Sequence, residues 1–150
     1  MSSIFRSMRI SASALTSERL RMDVISNNIA NSQTTRTAQG GAYRRKRVVF
    51  EAQEAGRSPF QRIASRGNMA DVYGLQGVRV RRIIESNEDM VRTYDPTHPD
   101  ADAEGFVEYP NVDISTEMVD LMAASKAYQS NVTVIQTAKT MVQAALQIGK

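Results

Sequence analysis

The only histidine of this chain, His98, stands in the run Asp95-Pro96-Thr97-His98-Pro99-Asp100-Ala101-Asp102. One imidazole among three carboxylates has the donor types of a divalent-metal site. The same residues have a second reading that needs no ligand. Proline presets φ, and short Asp side chains accept bonds from the following N–H groups, so the run makes turns. Cysteine is absent, so thiolate clusters and Cys–His pairs have no material, and nothing marks the single histidine as part of a catalytic dyad or triad. No glycine-rich phosphate loop is present either. The block is read as a solvated acidic turn, with no metal, cofactor or catalytic residue expected, and the chain as a non-enzyme.

Two further clusters carry polar chemistry. Arg44-Arg45-Lys46-Arg47 has the composition of a phosphate-binding patch. In a strand those side chains alternate faces, so only two point each way, and the aromatic neighbours are limited to Tyr43 and Phe50. A strand edge kept soluble by charge is the preferred reading, with a nucleic-acid-binding module as the alternative. The second cluster closes an N-terminal helix: Asn27, Asn28 and Asn31, then Thr34 and Thr35, with no glycine stop. Amides donate and accept at once. They are expected to satisfy frayed helix carbonyls together with backbone groups of neighbouring subunits; local Asx turns are the simpler alternative.

These clusters hang on two long helices. Ile114, Leu121, Tyr128, Ile135 and Val142 recur every seven residues, with Ala124, Asn131, Ala138 and Ala145 as a second row. This is the a/d pattern of a helix packed along a seam. The spacing predicts a helix over 113–148, roughly 50 Å long, with Asp113 as N-cap, Glu117 and Asp120 near its positive end, and Gly149 at its stop. Met8, Leu15, Met22 and Ile29 form a weaker heptad row at the other end of the chain. Two thin seams bury too little for an independent domain, so these helices are expected to become stable chiefly against copies of themselves or relatives. Between them, strands are expected at 43–50, 77–85 and 106–109, with a polar loop at 52–74. The expected fold class is α+β: long terminal helices packed as a coiled coil, with a small β-rich insert. The discontinuous core would span 1–37 and 111–150, and the insert 38–110, with a Pro-rich loop at 94–110.

Charge is segregated. Residues 1–84 carry fifteen Lys/Arg against five Asp/Glu, whereas residues 85–120 carry eleven Asp/Glu against one Arg. The two parts would face each other either within one fold or between copies of the chain. No apolar run reaches the roughly 18–20 residues of a membrane span. Arg6, Arg9, Glu18, Arg19, Arg21 and Asp23 interrupt the start, so a cleaved secretory signal is not expected.

Ser13-Ala14-Leu15-Thr16, Asn27-Asn28-Ile29-Ala30-Asn31 and Thr34-Thr35 resemble the N-terminal signature of the flagellar rod and hook axial proteins. GGAYRRKRVVF (Gly40–Phe50), YDPTHPDADAEGFVEYPNVD (Tyr94–Asp113) and EMVDLMAASKAYQSNVTVIQTAK (Glu117–Lys139) are similar to the C type of proximal rod protein within that family. The more specific motif is Asp95, Pro96, His98, Pro99, Pro110 and Asn111 followed by Glu117 and Met118; Asn27, Asn28, Ala30, Asn31 and Thr34 mark only the broad family. Thr35-Arg36-Thr37 departs from the glycine-aromatic-basic turn of many rod and hook relatives. The resemblance implies a structural subunit of a tubular drive shaft that transmits torque, with the terminal helices as the inner tube. Its implied partners are copies of itself, B-, F- and G-type rod proteins, the basal-body adaptor FliE and the flagellar type III export apparatus, with no nucleic acid and no direct membrane span. Its implied place is the basal-body rod in the periplasmic space. A B-type or distal rod subunit is the alternative. The assembly contacts would fall on Met8, Leu15, Met22 and Ile29 and on Ile114, Leu121, Tyr128, Ile135 and Val142.

Overall fold

No glycine or proline occurs before Gly40, so nothing interrupts a helix at the start of the chain. Helix α1 runs Ser2–Ala30. Strands β1 (Lys46–Glu54), β2 (Leu75–Glu85), β3 (Val91–Tyr94) and β4 (Phe106–Tyr109) follow, and helix α2 runs Ile114–Ile148. The computed structural model describes residues 2–54 and 75–148. The loop expected at 52–74 lies outside these from residue 55 on, as does Gly149. The α+β class is as expected. β1 pairs with β2 and β3 with β4, each as a two-stranded sheet.

The chain divides into two compact units. The first comprises residues 1–18, 50–81 and 127–150, the second 19–49 and 82–126. In the first unit, small hydroxyl residues on α1 hold β2. Ser13 Oγ accepts the Val78 N–H at 3.1 Å and donates to Ile10 O at 2.7 Å. The Ser17 hydroxyl bonds Ser13 O at 2.9 Å and reaches Val78 O at 3.4 Å. Strand and helix come so close at Gly77 that a Cβ there would overlap Ser13 Oγ, and its φ of +125° is one that L side chains rarely adopt. Ser11, Ser17 and Ala138 are buried in this unit.

In the second unit Val24, Ile25, Ala42, Tyr43, Val107 and Ala124 are buried. β3 is a strand that periodicity did not announce, since all four of its residues are exposed. It exists through its partner: the antiparallel register runs from Val91↔Tyr109 to Tyr94↔Phe106. Asp95 and Asp102 make the connecting turns. The Asp95 carboxylate accepts the Thr97 N–H and hydroxyl, and Asp102 accepts the N–H groups of Glu104 and Phe106. Gly105 closes the turn at φ +82°.

Along both helices the expected heptad residues are half-buried, except Ile114, which is 40% exposed. In the small row of α2 Ala124 and Ala138 are under 9% exposed, while Asn131 is half-buried and Ala145 exposed. Asp113 caps α2 as expected, accepting the N–H groups of Ser115 at 3.0 Å and Thr116 at 3.3 Å and the Thr116 hydroxyl at 2.6 Å.

Two predictions follow from these contacts. Gly77→Ala should lower the stability of the chain by about 1–3 kcal/mol, read as a shift of the urea midpoint followed by circular dichroism. An unchanged midpoint would show that β2 is free to move off α1. The second concerns acid. The Thr116 hydroxyl and Ser115 N–H lower the Asp113 pKa, the Thr97 hydroxyl lowers that of Asp95, and the Phe106 N–H lowers that of Asp102. Each carboxylate binds protons more weakly folded than unfolded. Their stabilisation is therefore complete above the ordinary carboxylate range and fades as pH falls through the lowered values. The urea midpoint should drop with acidification, and Asp113→Asn should flatten the part of the slope due to the α2 cap.

Candidate functional site

Val24, Ile25 and Asn28 share one face of α1 at spacings that bring side chains together on a helix, and all three are buried. Asn28 is 1% exposed, and its amide has no bonding capacity left over. Nδ2 donates to Lys46 O at 2.9 Å and to Glu117 Oε2 at 3.0 Å. Oδ1 accepts the Lys46 N–H at 2.9 Å and the Tyr43 hydroxyl at 2.9 Å. Two donors and two lone pairs are the whole repertoire of an amide. Asp at this position would turn an acceptor toward a carbonyl and a carboxylate; Ala would leave four groups without partners.

Glu117, also 1% exposed, is the charged centre of the cluster. The Arg45 guanidinium grips Glu117 Oε1 through Nε and Nη2 and lies 3.7 Å from Asp120. A carboxylate this deep persists only when paired and hydrogen-bonded, and here it has both a cation and an amide. Burial, then the charges of Glu117 and Glu85, push the Tyr43 phenol up, so it remains a hydrogen-bond donor at neutral pH. The cluster thus ties the last turns of α1, the start of β1 and the first turn of α2. Each group in it is a partner to another, and a cavity of about 160 Å³ beside it is lined by Asn28, Arg45, Lys46, Glu117 and Asp120.

The expectation that all three asparagines serve neighbouring subunits is corrected for Asn28, whose four bonds all lie within the chain. Asn31 bonds locally. Its Nδ2 donates to Asn27 O at 2.9 Å and Asn27 Oδ1 at 2.7 Å, and its Oδ1 accepts the Thr34 hydroxyl at 3.2 Å. No non-glycine residue among those described has positive φ, so α1 ends on amide caps in place of a left-handed residue.

The Pro-rich block folds against the segment after α1. Thr35 donates to Asp100 Oδ2 at 2.8 Å, and Arg36 lies 3.7 Å from Asp100 Oδ1. His98 Nδ1 accepts the Asp100 N–H at 3.1 Å, and its ring meets Tyr109 edge-on at 6.3 Å. Among the described residues no three His, Asp or Glu side chains converge as a metal cage would require. Pro110 is buried, while Pro96, Pro99, Asn111 and Met118 are exposed.

Basic and acidic segments do meet within one chain, through Arg36–Asp100, Arg45–Glu117 and Lys46–Glu85 at 3.8 Å. Arg45 is therefore turned inward, which leaves Arg44 and Arg47 as the exposed members of the basic run. Sequence reasoning placed Glu117 at a helix dipole and Arg45 in a strand edge without joining them. The available signal was Glu117 itself, an acid at helical distance from a row expected to be buried. Among the described residues no helix is long and apolar enough to cross a membrane.

Comparison with known proteins follows the same two ends. The family model described as "Flagella basal body rod protein" matches residues 8–36, and "Flagellar basal body rod FlgEFG protein C-terminal" matches residues 103–148. These segments hold Asn28 and Glu117 respectively. The chain is 43% identical over 152 residues to the flagellar basal-body rod protein FlgC of Bacillus subtilis (strain 168), covering 97% of this chain and 98% of that one. The FlgC of Borreliella burgdorferi is 43% identical over 149 residues, covering 97% of each chain. That of Escherichia coli O6:H1 is 38% identical over 141 residues, covering 94% of each.

The cluster generates a double-mutant prediction. Glu117→Ala should destabilise the chain by about 3–5 kcal/mol, because the largely buried Arg45 loses its close partner and keeps the exposed Asp120 at 3.7 Å. Asn28→Ala should cost about 2–4 kcal/mol through unsatisfied groups. The pair Arg45→Met with Glu117→Leu should cost less than Glu117→Ala alone, as an apolar replacement leaves no stranded charge. Urea titration of the four chains measures this, and equal losses for the single and double variants would remove the coupling.

Proposed function

We infer that this chain, which belongs to the FlgC family of flagellar basal-body rod proteins, acts by packing against other subunits and not by a reaction. It is a structural subunit of the bacterial flagellar basal-body rod. The observation that carries this reading is similarity to FlgC proteins across nearly the whole chain, both long helices included. The geometry supports it. The cluster at Asn28 and Glu117 is fully occupied by internal bonds, whereas large apolar side chains such as Phe5, Met118, Met122 and Leu146 are more than half exposed on the helices. Exposed apolar faces of this kind mark interaction surfaces.

In this reading the subunit belongs to the proximal rod and self-assembles into a tubular drive shaft that transmits torque. The terminal segments 1–37 and 111–150 form the axial core by coiled-coil packing, and 38–110 lies outside it. Met8, Leu15, Met22 and Ile29, with Ile114, Leu121, Tyr128, Ile135 and Val142, contribute the contacts. Its neighbours are copies of itself, B-, F- and G-type rod proteins and the adaptor FliE. It reaches the periplasmic space through the flagellar type III export apparatus, without a cleaved signal. Two thin helical stripes with little core between them suit such a passenger, since a weakly stable chain is easily kept unfolded for passage.

The test is a concentration series of the purified chain by analytical ultracentrifugation with circular dichroism. Mass and helicity should rise together. A fully helical monomer at every concentration would mean that the seams are satisfied internally, and would remove the self-assembly reading.

A further inference from the structure

Each long helix passes through both compact units, α1 dividing after residue 18 and α2 after residue 126. The two sides of each division differ in composition, closure and packing. Residues 2–18 hold seven Ser or Thr, whereas 19–30 hold one, Ser26. Hydroxyl side chains compete with the backbone ladder of a helix. Ser7, Ser13, Thr16 and Ser17 all donate to carbonyls three or four positions back. Beyond residue 126 on α2, Thr133 donates to Gln129 O at 3.0 Å and Thr140 to Gln136 O at 3.1 Å. There Val132-Thr133-Val134-Ile135 is also a β-branched run of low intrinsic helicity. By contrast, the start of α2 has the Asp113 cap and the Glu117–Arg45 pair, and the end of α1 has the bonds of Asn28. Packing differs likewise. An open groove of about 360 Å³ lies between Ile4 on α1 and Val134 and Met141 on α2, so these turns forgo contacts that a closed core would supply. Val24, Ile25 and Ala124 are buried.

We propose that the single chain opens in two stages. In the first, α1 up to residue 18 and α2 from residue 127 come apart together, while 19–30 and 114–126 stay helical around Asn28 and Glu117. The break in stability thus falls inside each helix, not at the junction of helices and strands. The inner stretches hold because a partial slip would strand the buried donors and acceptors of the cluster together. The outer stretches close on hydroxyl contacts and beside an open groove, so less is lost when they part. One half of the helical surface is then permanent and the other conditional. This staging belongs to the single chain and does not depend on which subunits surround it in an assembly.

The test is native-state hydrogen exchange of the purified full chain, resolved by residue. It is run at dilutions where the chain sediments as a monomer, in rising urea below the unfolding midpoint. Amides of 24–30 and 117–126 should share one level of protection. Those of 8–17 and 131–142 should share a second level, about tenfold or more weaker. Ala124→Gly should lower the stronger level by about fivefold and leave the weaker one where it was, since the weaker set exchanges before residue 124 is released. Should that variant not fold, the profile of the parent chain alone decides the order of opening. One level of protection along both helices, the reverse order, or whole helices exchanging apart from the strands would overturn the staging. So would an equal fall of both levels in Ala124→Gly. The rod reading is tested separately by association and would stand in each of those cases.

Discussion

A carboxylate buried to 1% exposure constrains this subunit more than any apolar contact does. Removing an ion of that size from water costs several kcal/mol unless a cation and hydrogen-bond donors replace the lost hydration. Glu117 therefore requires Arg45, and Arg45 can reach it only if β1 starts beside the first turn of α2. The Asn28 amide then has one geometry that serves the second oxygen of Glu117, both backbone groups of Lys46 and the Tyr43 hydroxyl. Three segments distant in sequence are brought to one point by a requirement of solvation.

Such a cluster adds less to net stability than its short distances suggest, since desolvation offsets most of the attraction. What it supplies is selectivity among arrangements. Val24, Ile25 and Ala124 would tolerate a small slide of one segment past another, as apolar packing is not directional. An amide with four bonds filled does not tolerate it, because a slip would strand buried donors and acceptors together. Ser13 and Ser17 act similarly on Val78 in the other unit, with Gly77 allowing the close approach.

The rest of the surface follows from how little core is available. Among the described residues two long helices and two two-stranded sheets leave several large apolar side chains exposed, most of them along the helices. A protein that worked alone would be under pressure to replace Met118, Val119 and Met122 by polar residues. On the proposed rod-subunit reading, a neighbour would cover these residues. The subunit thus adds a closed polar cluster to its apolar core and keeps large apolar side chains exposed on its helices.

Sequence by itself determined the elements whose signal is local. Heptad rows gave both long helices, Asp113 gave the α2 cap, and the Asp and Pro residues of 95–102 gave turns, because each depends on residues a few positions apart. Basic β-branched runs placed β1 and β2 to within three or four residues at each end. The motif residues Asn28 and Glu117 were picked out by resemblance, but their partnership was not legible. Tertiary structure decided that Arg45 turns inward instead of lining a strand edge, that β3 exists opposite β4, and that Asn28 is spent within the chain while Asn31 caps its own helix. For Arg45, for Asn28 and for β3 beside β4 the deciding bonds join residues far apart in the chain, whereas Asn31 bonds only Asn27 and Thr34 beside it. No periodicity records which buried donor will meet which acceptor, because that is settled only when the chain has to satisfy all of them at once.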